Sequence, residues 1–173
     1  LFFRNFAIKP IMAVLSIIMG FHLSNPIAIG FLIGSNFLIQ VLLMLLIGHL
    51  IKEKNEKLIL ILGYFLSSIA ILGWIFATDF YGFLIAQIFV AFSYSMFWSA
   101  SIIHIAQNTT PMNKGKYMGF ANTSTFSGSF FGGLFFSFLL FVFNSNYYLV
   151  MLFMIIFPLV SGVIILLQYK GKK

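Results

Sequence analysis

The chain has 173 residues, of which 61% are hydrophobic and 8% charged, with a formal net charge of +7 and a mean hydropathy of +1.07. Soluble domains carry charge on about a quarter of their residues, so this composition excludes a soluble globular protein and describes an integral membrane protein. The basic balance does not indicate a nucleic-acid partner, because no soluble basic face exists to carry one, and the absence of cysteine excludes disulfides, thiolate metal sites and cysteine nucleophiles.

A hydrocarbon core about 30 Å thick takes roughly 20 apolar residues per helix, so the length accommodates about six spans with short connections in a single domain, residues 1–173. Arg4 and Lys9 precede the first apolar run as in a secretory signal, but no small-residue cleavage site follows and an uncleaved helix is expected. The first span is placed at residues 3–23, with Arg4 and Lys9 reaching toward the headgroups. The chain begins at Leu1, so a fragment with an incomplete first helix is among the expectations. Ser24, Asn25 and Pro26 turn the chain into a second span at 26–51, proline being well tolerated at a first helical position.

Residues 48–57, GHLIKEKNEK, are the one place where several charges of both signs interrupt the apolar sequence. Such a knot is too expensive to hold in hydrocarbon, so the chain leaves the bilayer there. A third span follows at 58–77, a turn at Thr78, Asp79 and Phe80, and a fourth span at 81–106. QNTTPMNKGK (107–116) reads as a polar loop punctuated by proline and glycine. The fifth span is expected at 117–143 and the sixth at 147–169, with Pro158 placed to kink the latter. Six spans put every Lys and Arg on the side of both termini, leaving Asp79 on the other. By the positive-inside rule both termini are cytoplasmic.

Small residues four apart let helices approach closely in lipid. Ser124, Gly128 and Gly132 form one such row in the fifth span, beside Ala121, Thr125, Ser129 and Gly133; Gly30, Gly34 and Gly48 make a thinner row in the second. The third and sixth spans are apolar almost all round apart from Ser67, Ser68 and Ser161, which suits a lipid-facing, peripheral position. In the fourth, Gln87, Tyr94, Trp98 and Ser101 fall within one sector. That stripe fits either the lining of an aqueous path or bonding between helices. Asn36 and Gln40 are further polar candidates in the second span, and His22 and His104 sit at span ends, where an imidazole is ordinarily a hydrogen-bonded terminus.

Catalysis has no support. Paired intramembrane carboxylates, zinc-protease and nucleophile-elbow motifs and phosphate loops are all missing, and three scattered histidines without acidic partners make no metal site. No enzyme activity, cofactor or metal is expected.

The stretch PMNKGKYMGFANTSTFSGSFFGG (111–133) resembles the passage from the fourth to the fifth helix of the major facilitator superfamily (MFS) of transporters. Pro111, Lys114, Gly115 and Gly119 match its proline, basic residue and glycines, and Ser124, Gly128, Gly132 and Gly133 match its fifth-helix small residues, with Ser129 where a proline is usual. HLSNPIAIGFLIG is similar to the family's step from first to second helix. In its loop between second and third helices, Gly48, Leu50 and Lys57 match, while Lys52 stands for the usual aspartate, Glu53 for arginine and Asn55 for glycine. Gln87 lies near an arginine position of many proton-coupled members.

The resemblance implies an all-α membrane fold, one six-helix half of an MFS-type bundle with 3+3 inverted repeats. It implies that the first and fourth helices line the central path, that the second and fifth pack on another half, and that the third and sixth lie outside. The expected function is alternating-access transport of a small solute at the cell membrane. A second half would come from missing chain, another subunit or a homodimer. Gln87, Tyr94, Trp98, Ser101, Asn36 and Gln40 are the candidate path, and Gly48, Leu50, Lys52, Glu53 and Lys57 the gating loop. With no fixed charge expected at mid-helix, a neutral, amphipathic or aromatic solute is favoured. The alternative is a non-transporting six-span scaffold or assembly subunit.

Overall fold

The computed structural model of the chain describes residues 1–52 and 54–168. Its helices are α1 (Phe2–Gly20), α2 (Pro26–Leu50), α3 (Glu56–Phe76), α4 (Phe80–Asn108), α5 (Pro111–Val142), α6 (Tyr147–Met154) and α7 (Ile156–Gln168). The last two are one interrupted span, so six segments are long and apolar enough to cross a membrane. The expected end of the sixth span at Tyr169, the basic tail and Glu53 lie outside the described residues.

Local chemistry fixes the ends. The Asn25 side chain accepts from Ile27 N (2.9 Å) just before Pro26, Asp79 caps α4 through Gly82 N (2.7 Å), and Asn146 caps α6 through Leu149 N (3.2 Å). Each satisfies an amide that the first helical turn leaves without a partner. The α5–α6 turn closes with Ser145 N donating to Leu140 O (2.7 Å) and Asn144 N to Phe141 O (3.4 Å), with Asn144 at φ 50°. This is the paired bond pattern of a Schellman motif, and asparagine tolerates the left-handed position it requires. The sixth span breaks at Ile155, where Pro158 has no N–H for the Met154 carbonyl and its ring crowds that same group.

One expected loop is helix instead. Gln107 and Asn108 finish α4, Pro111 opens α5, and only Thr109 and Thr110 connect them. Polar composition marked where the chain leaves hydrocarbon, but a helix that projects beyond it also needs polar residues, and Pro111 suits a helix start as well as a loop.

Packing is reciprocal. α1 packs on α5 and α4 packs on α2, the exchange expected when spans one to three and four to six are related as inverted repeats. A continuous core joins all six spans, from Ile11 and Leu15 of α1 through Leu32, Trp74 and Phe83 to Phe136 and Met151. Within this chain α3 and α1 have half of their spanning window buried, against 11% for α2 and 22% for α5, the two spans expected to pack on a second half. An apolar helix gains nothing by facing lipid, because lipid is as apolar as a neighbouring helix, so small residues decide where helices meet. On α3 that residue is Gly63, where a Cβ would come within 2.7 Å of the Phe97 amide nitrogen of α4.

The same device joins α5 to α1. A Cβ on Gly128 or Gly132 would fall on the carbonyl oxygens of Phe2 and Phe6. Pro10, four residues after Phe6, has no N–H to give that carbonyl, so the glycine backbone of α5 lies against a carbonyl relieved of its usual helical partner. Gly30, Gly34, Gly48 and Gly133 have open space instead. Gly132→Ala is therefore expected to destabilise the fold by about 1–3 kcal/mol, since backbone must move to admit the methyl, while Gly34→Ala is expected to leave the isolated chain unchanged. Denaturation of the detergent-solubilised variants measures both.

Candidate functional site

Arg4 does not reach the headgroups. It is 1% exposed, and its Nε donates to Ser67 Oγ (2.9 Å) of α3 and its Nη2 to Ser93 Oγ (3.3 Å) of α4. Ser67 and Ser93 lie near the middles of α3 and α4. A 21-residue helix is about 31 Å long, so the guanidinium sits about 15 Å from either end, beyond the reach of its side chain. Ser67 and Ser93 also meet each other, and each lies within hydrogen-bond distance of Gly63 O (3.0 and 2.9 Å); with one proton per hydroxyl, the two serines donate in two of these three contacts. The plane of the guanidinium is met by rings, with Cζ 4.1 Å from the Phe97 centroid and 5.3 Å from that of Tyr94.

Magnitudes explain how a charge is held there. An arginine at mid-membrane costs about 2.5–3.5 kcal/mol on insertion scales. Hydrogen bonds to a charged group return about 1.5–3 kcal/mol each, and a desolvated cation–π contact about 2 kcal/mol. Two bonds and a close ring contact outweigh the penalty, which makes Arg4 a structural pin across α1, α3 and α4. Its Nη1 has no partner among the described residues.

Lys9 is placed differently. It is exposed, and its Nζ lies 5.8 Å from the Tyr94 centroid. Tyr94 stacks on Trp98 (centroids 6.2 Å apart, planes at 18°) and meets Phe97 edge-on. Tyr94, Trp98 and Ser101 are half-buried, and Ser101 Oγ donates to Phe97 O (2.6 Å). Two cations thus gather around an aromatic group at the centre of α4, in a region where the sequence reading expected no fixed charge.

The other path candidates sit between α2 and α4. Asn36 is fully buried, and its Nδ2 donates to the backbone oxygen of Gln87 (2.9 Å). Gln40 Nε2 donates to Asn36 Oδ1 (2.5 Å), and Ser95 Oγ to Gln40 O (3.2 Å). Gln87 is 1% exposed with its Oε1 unpartnered among the described residues. The structure therefore brings Asn36, Gln40 and Gln87 together as a polar seam holding α2 to α4, and Tyr94, Trp98 and Ser101 as a separate, more open group.

In the expected gating loop, Gly48 and Leu50 end α2 with Leu50 65% exposed. Asn55 closes the turn by accepting from Lys52 N (2.6 Å) and donating to Leu50 O (2.8 Å). Lys57 Nζ reaches Leu166 O of α7 at 3.5 Å, a long and weak contact. Among the described residues of this stretch, Glu56 is 2% exposed and 2.5 Å from His104 Nδ1 near the end of α4. Asn108 Nδ2 lies 3.2 Å from the same nitrogen. At the other membrane face His22 Nε2 and Tyr148 OH are 2.6 Å apart, joining the turn after α1 to α6.

Sequence reading missed the Arg4 centre and the Glu56–His104 pair. A signal for the first was present: Arg4, Ser67 and Ser93 are polar groups inside otherwise apolar spans, and intramembrane polar groups seek one another.

These features define a class, a multi-pass helical membrane protein built as a six-span half-bundle with a polar and aromatic group at mid-depth. A family model described as Major Facilitator Superfamily matches residues 1–173. The chain belongs to that family of membrane transporters and has the form of one of its halves. No match is found among curated proteins.

The Arg4 pin makes a quantitative prediction. Ser67→Ala is expected to destabilise the chain by about 1.5–3 kcal/mol with Arg4 present, and by less than about 1 kcal/mol in an Arg4→Met background where no buried charge is left short of a bond. A double-mutant cycle of unfolding free energies reads the coupling directly.

Proposed function

We propose that the chain is the six-helix half of an alternating-access transporter that moves a small solute past the Tyr94–Trp98 group. The observation that carries this reading is the Tyr94–Trp98 pair itself, half-buried at the centre of α4 and flanked by a lysine that lipid does not tolerate. Ser101 continues the path toward the end of α4. Asn36, Gln40 and Gln87 hold α2 against α4 beside it and set the angle of the tyrosine-bearing face.

A second half covers the faces that this one leaves open. α2 and α5 are the least buried spans, and the open space at Gly30, Gly34 and Gly133 lets another helix approach closely. The partner is further chain, another subunit or a second copy. Lys52 and Lys54 fall between α2 and α3, Lys57 in the first turn of α3, and Lys114 and Lys116 in the first two turns of α5, all at one end of the bundle, which supports both termini on the cytoplasmic side of a cell membrane. Gly48, Leu50, Lys52, Glu53 and Lys57 form the gating loop, and Glu56 supplies the latch through His104 in place of the aspartate that Lys52 replaces.

The chain has no cysteine, so single cysteines report access cleanly. In reconstituted vesicles, Trp98→Cys is expected to react with a membrane-impermeant thiol reagent added to either side, as a path that opens alternately requires, while Ile156→Cys, exposed on the sixth span, stays unmodified. Labelling of Trp98→Cys from one side only, or from neither, would sink the alternating-access reading. The latch has its own test. Glu56→Gln is expected to raise the reactivity of a cysteine at Leu50 at least threefold, about the loss of one weak hydrogen bond, whereas Lys52→Ala changes it little.

A further inference from the structure

We infer that Lys9 is the counter-charge for an anionic solute, so that the path takes small organic anions rather than neutral molecules; this rests on the proposed path past Tyr94 and Trp98. Arg4 and Lys9 both lie over the Tyr94 ring, at 5.3 and 5.8 Å, but they are compensated unequally. Arg4 has two hydroxyl bonds and a second ring at 4.1 Å. Lys9 has the ring contact with Tyr94 alone among the described residues. That distant contact returns about 0.5–1 kcal/mol, well short of the roughly 2.5–3.5 kcal/mol that a lysine costs at mid-membrane. Something outside the described residues supplies the difference.

The described carboxylates do not. Asp79 caps the start of α4, fifteen residues and about 22 Å along the helix from Tyr94. Glu56 meets His104, ten residues and about 15 Å the other way. Nor does Lys9 face lipid as the outer surfaces do. Exposed positions on the third and sixth spans carry large apolar groups such as Leu62, Leu72, Ile156 and Val163. On α1, Lys9 shares its exposed side with Ala13, Ser16 and Gly20, with Ile17 beside them.

An exposed strip of small residues and an uncompensated charge therefore coincide at Lys9. Arg4, with its unpartnered Nη1, adds a second positive charge behind the same ring. Two cations with no carboxylate near them among the described residues make a field that concentrates anions. The stacked pair of Tyr94 and Trp98 offers a flat apolar platform next to the ammonium, suited to a carboxylate on a planar or hydrocarbon body.

Trp98 is a reporter in place. The complete protein is reconstituted in zwitterionic nanodiscs at low ionic strength, and fluorescence quenching by iodide, caesium and acrylamide is measured with and without Trp98→Phe, the difference isolating Trp98. Acrylamide, being neutral, reads access; the iodide-to-caesium ratio reads the sign of the local field. Quenching by acrylamide with iodide favoured by about tenfold, the low end for a cleft of one charge sign, is the expected result. Lys9→Met should remove most of that preference, and Lys9→Arg should keep it. Acrylamide quenching with no preference for iodide would leave the path standing and overturn the anion site, because a carboxylate of the second half would then already neutralise Lys9. No acrylamide quenching would remove the path and this inference together. The wild-type ratio decides even if Lys9→Met fails to insert.

Discussion

The fold depends on one constraint, that a guanidinium at mid-depth in hydrocarbon must be held by hydroxyls and rings of the same chain. Arg4 draws Ser67 and Ser93 to a single point, and those hydroxyls reach it only because Gly63 lets α3 and α4 come into backbone contact at Phe97. A larger residue at Gly63 would separate the helices and strand the charge. The tight α3–α4 pair, the burial of a span whose centre is apolar apart from Ser67 and Ser68 and the position of Tyr94 over the cations are consequences of the same requirement. Hydrophobicity alone specifies none of this, since in lipid an apolar side chain has no preference between a neighbour and the solvent.

The opposite side of α1 obeys a second rule. There α5 approaches through glycines that rest on the carbonyls of Phe2 and Phe6, and Pro10 keeps its own nitrogen out of competition for the latter. α1 is thus held by charge on one flank and by backbone contact on the other. Both contacts are short and directional, so α1 has little freedom to rotate within the half. Rigid halves are what a rocking mechanism needs, because a helix that rolled in its socket would absorb the motion instead of transmitting it.

Span number, the family and the α5 glycine row were legible in the sequence because each rests on local information: apolar run length, motif order and small residues four apart. The start of α5 was not. PMNKGK is polar whether it forms a loop or a helix standing in water, and only the structure distinguishes them. The fate of Arg4 and Lys9 was misread for a different reason. Snorkelling assumes that a charge near the start of an apolar run is near the surface, yet α1 is offset so that Arg4 is level with the middles of α3 and α4. Register between helices is a tertiary property. Of the candidate path, Tyr94, Trp98 and Ser101 occupy a partly open group, while Gln87, Asn36 and Gln40 are knitted into a seam, a division that one-helix periodicity cannot express.

The two basic residues of α1 show how one helix carries opposite roles. They are five residues apart, which turns them about 140° from each other around the axis. Arg4 therefore points into the half and Lys9 away from it, although Tyr94 is broad enough to meet both. An inward cation bonded by serines stabilises the half in any state, since its partners move with it. An outward cation has partners only when something enters the space before it, so its electrostatic energy depends on whether the path is occupied and on which side it is open. In the proposed transporter Lys9 is thus the charge through which binding would influence the motion of one half against the other, and Arg4 the charge that would keep its platform in place while that happens.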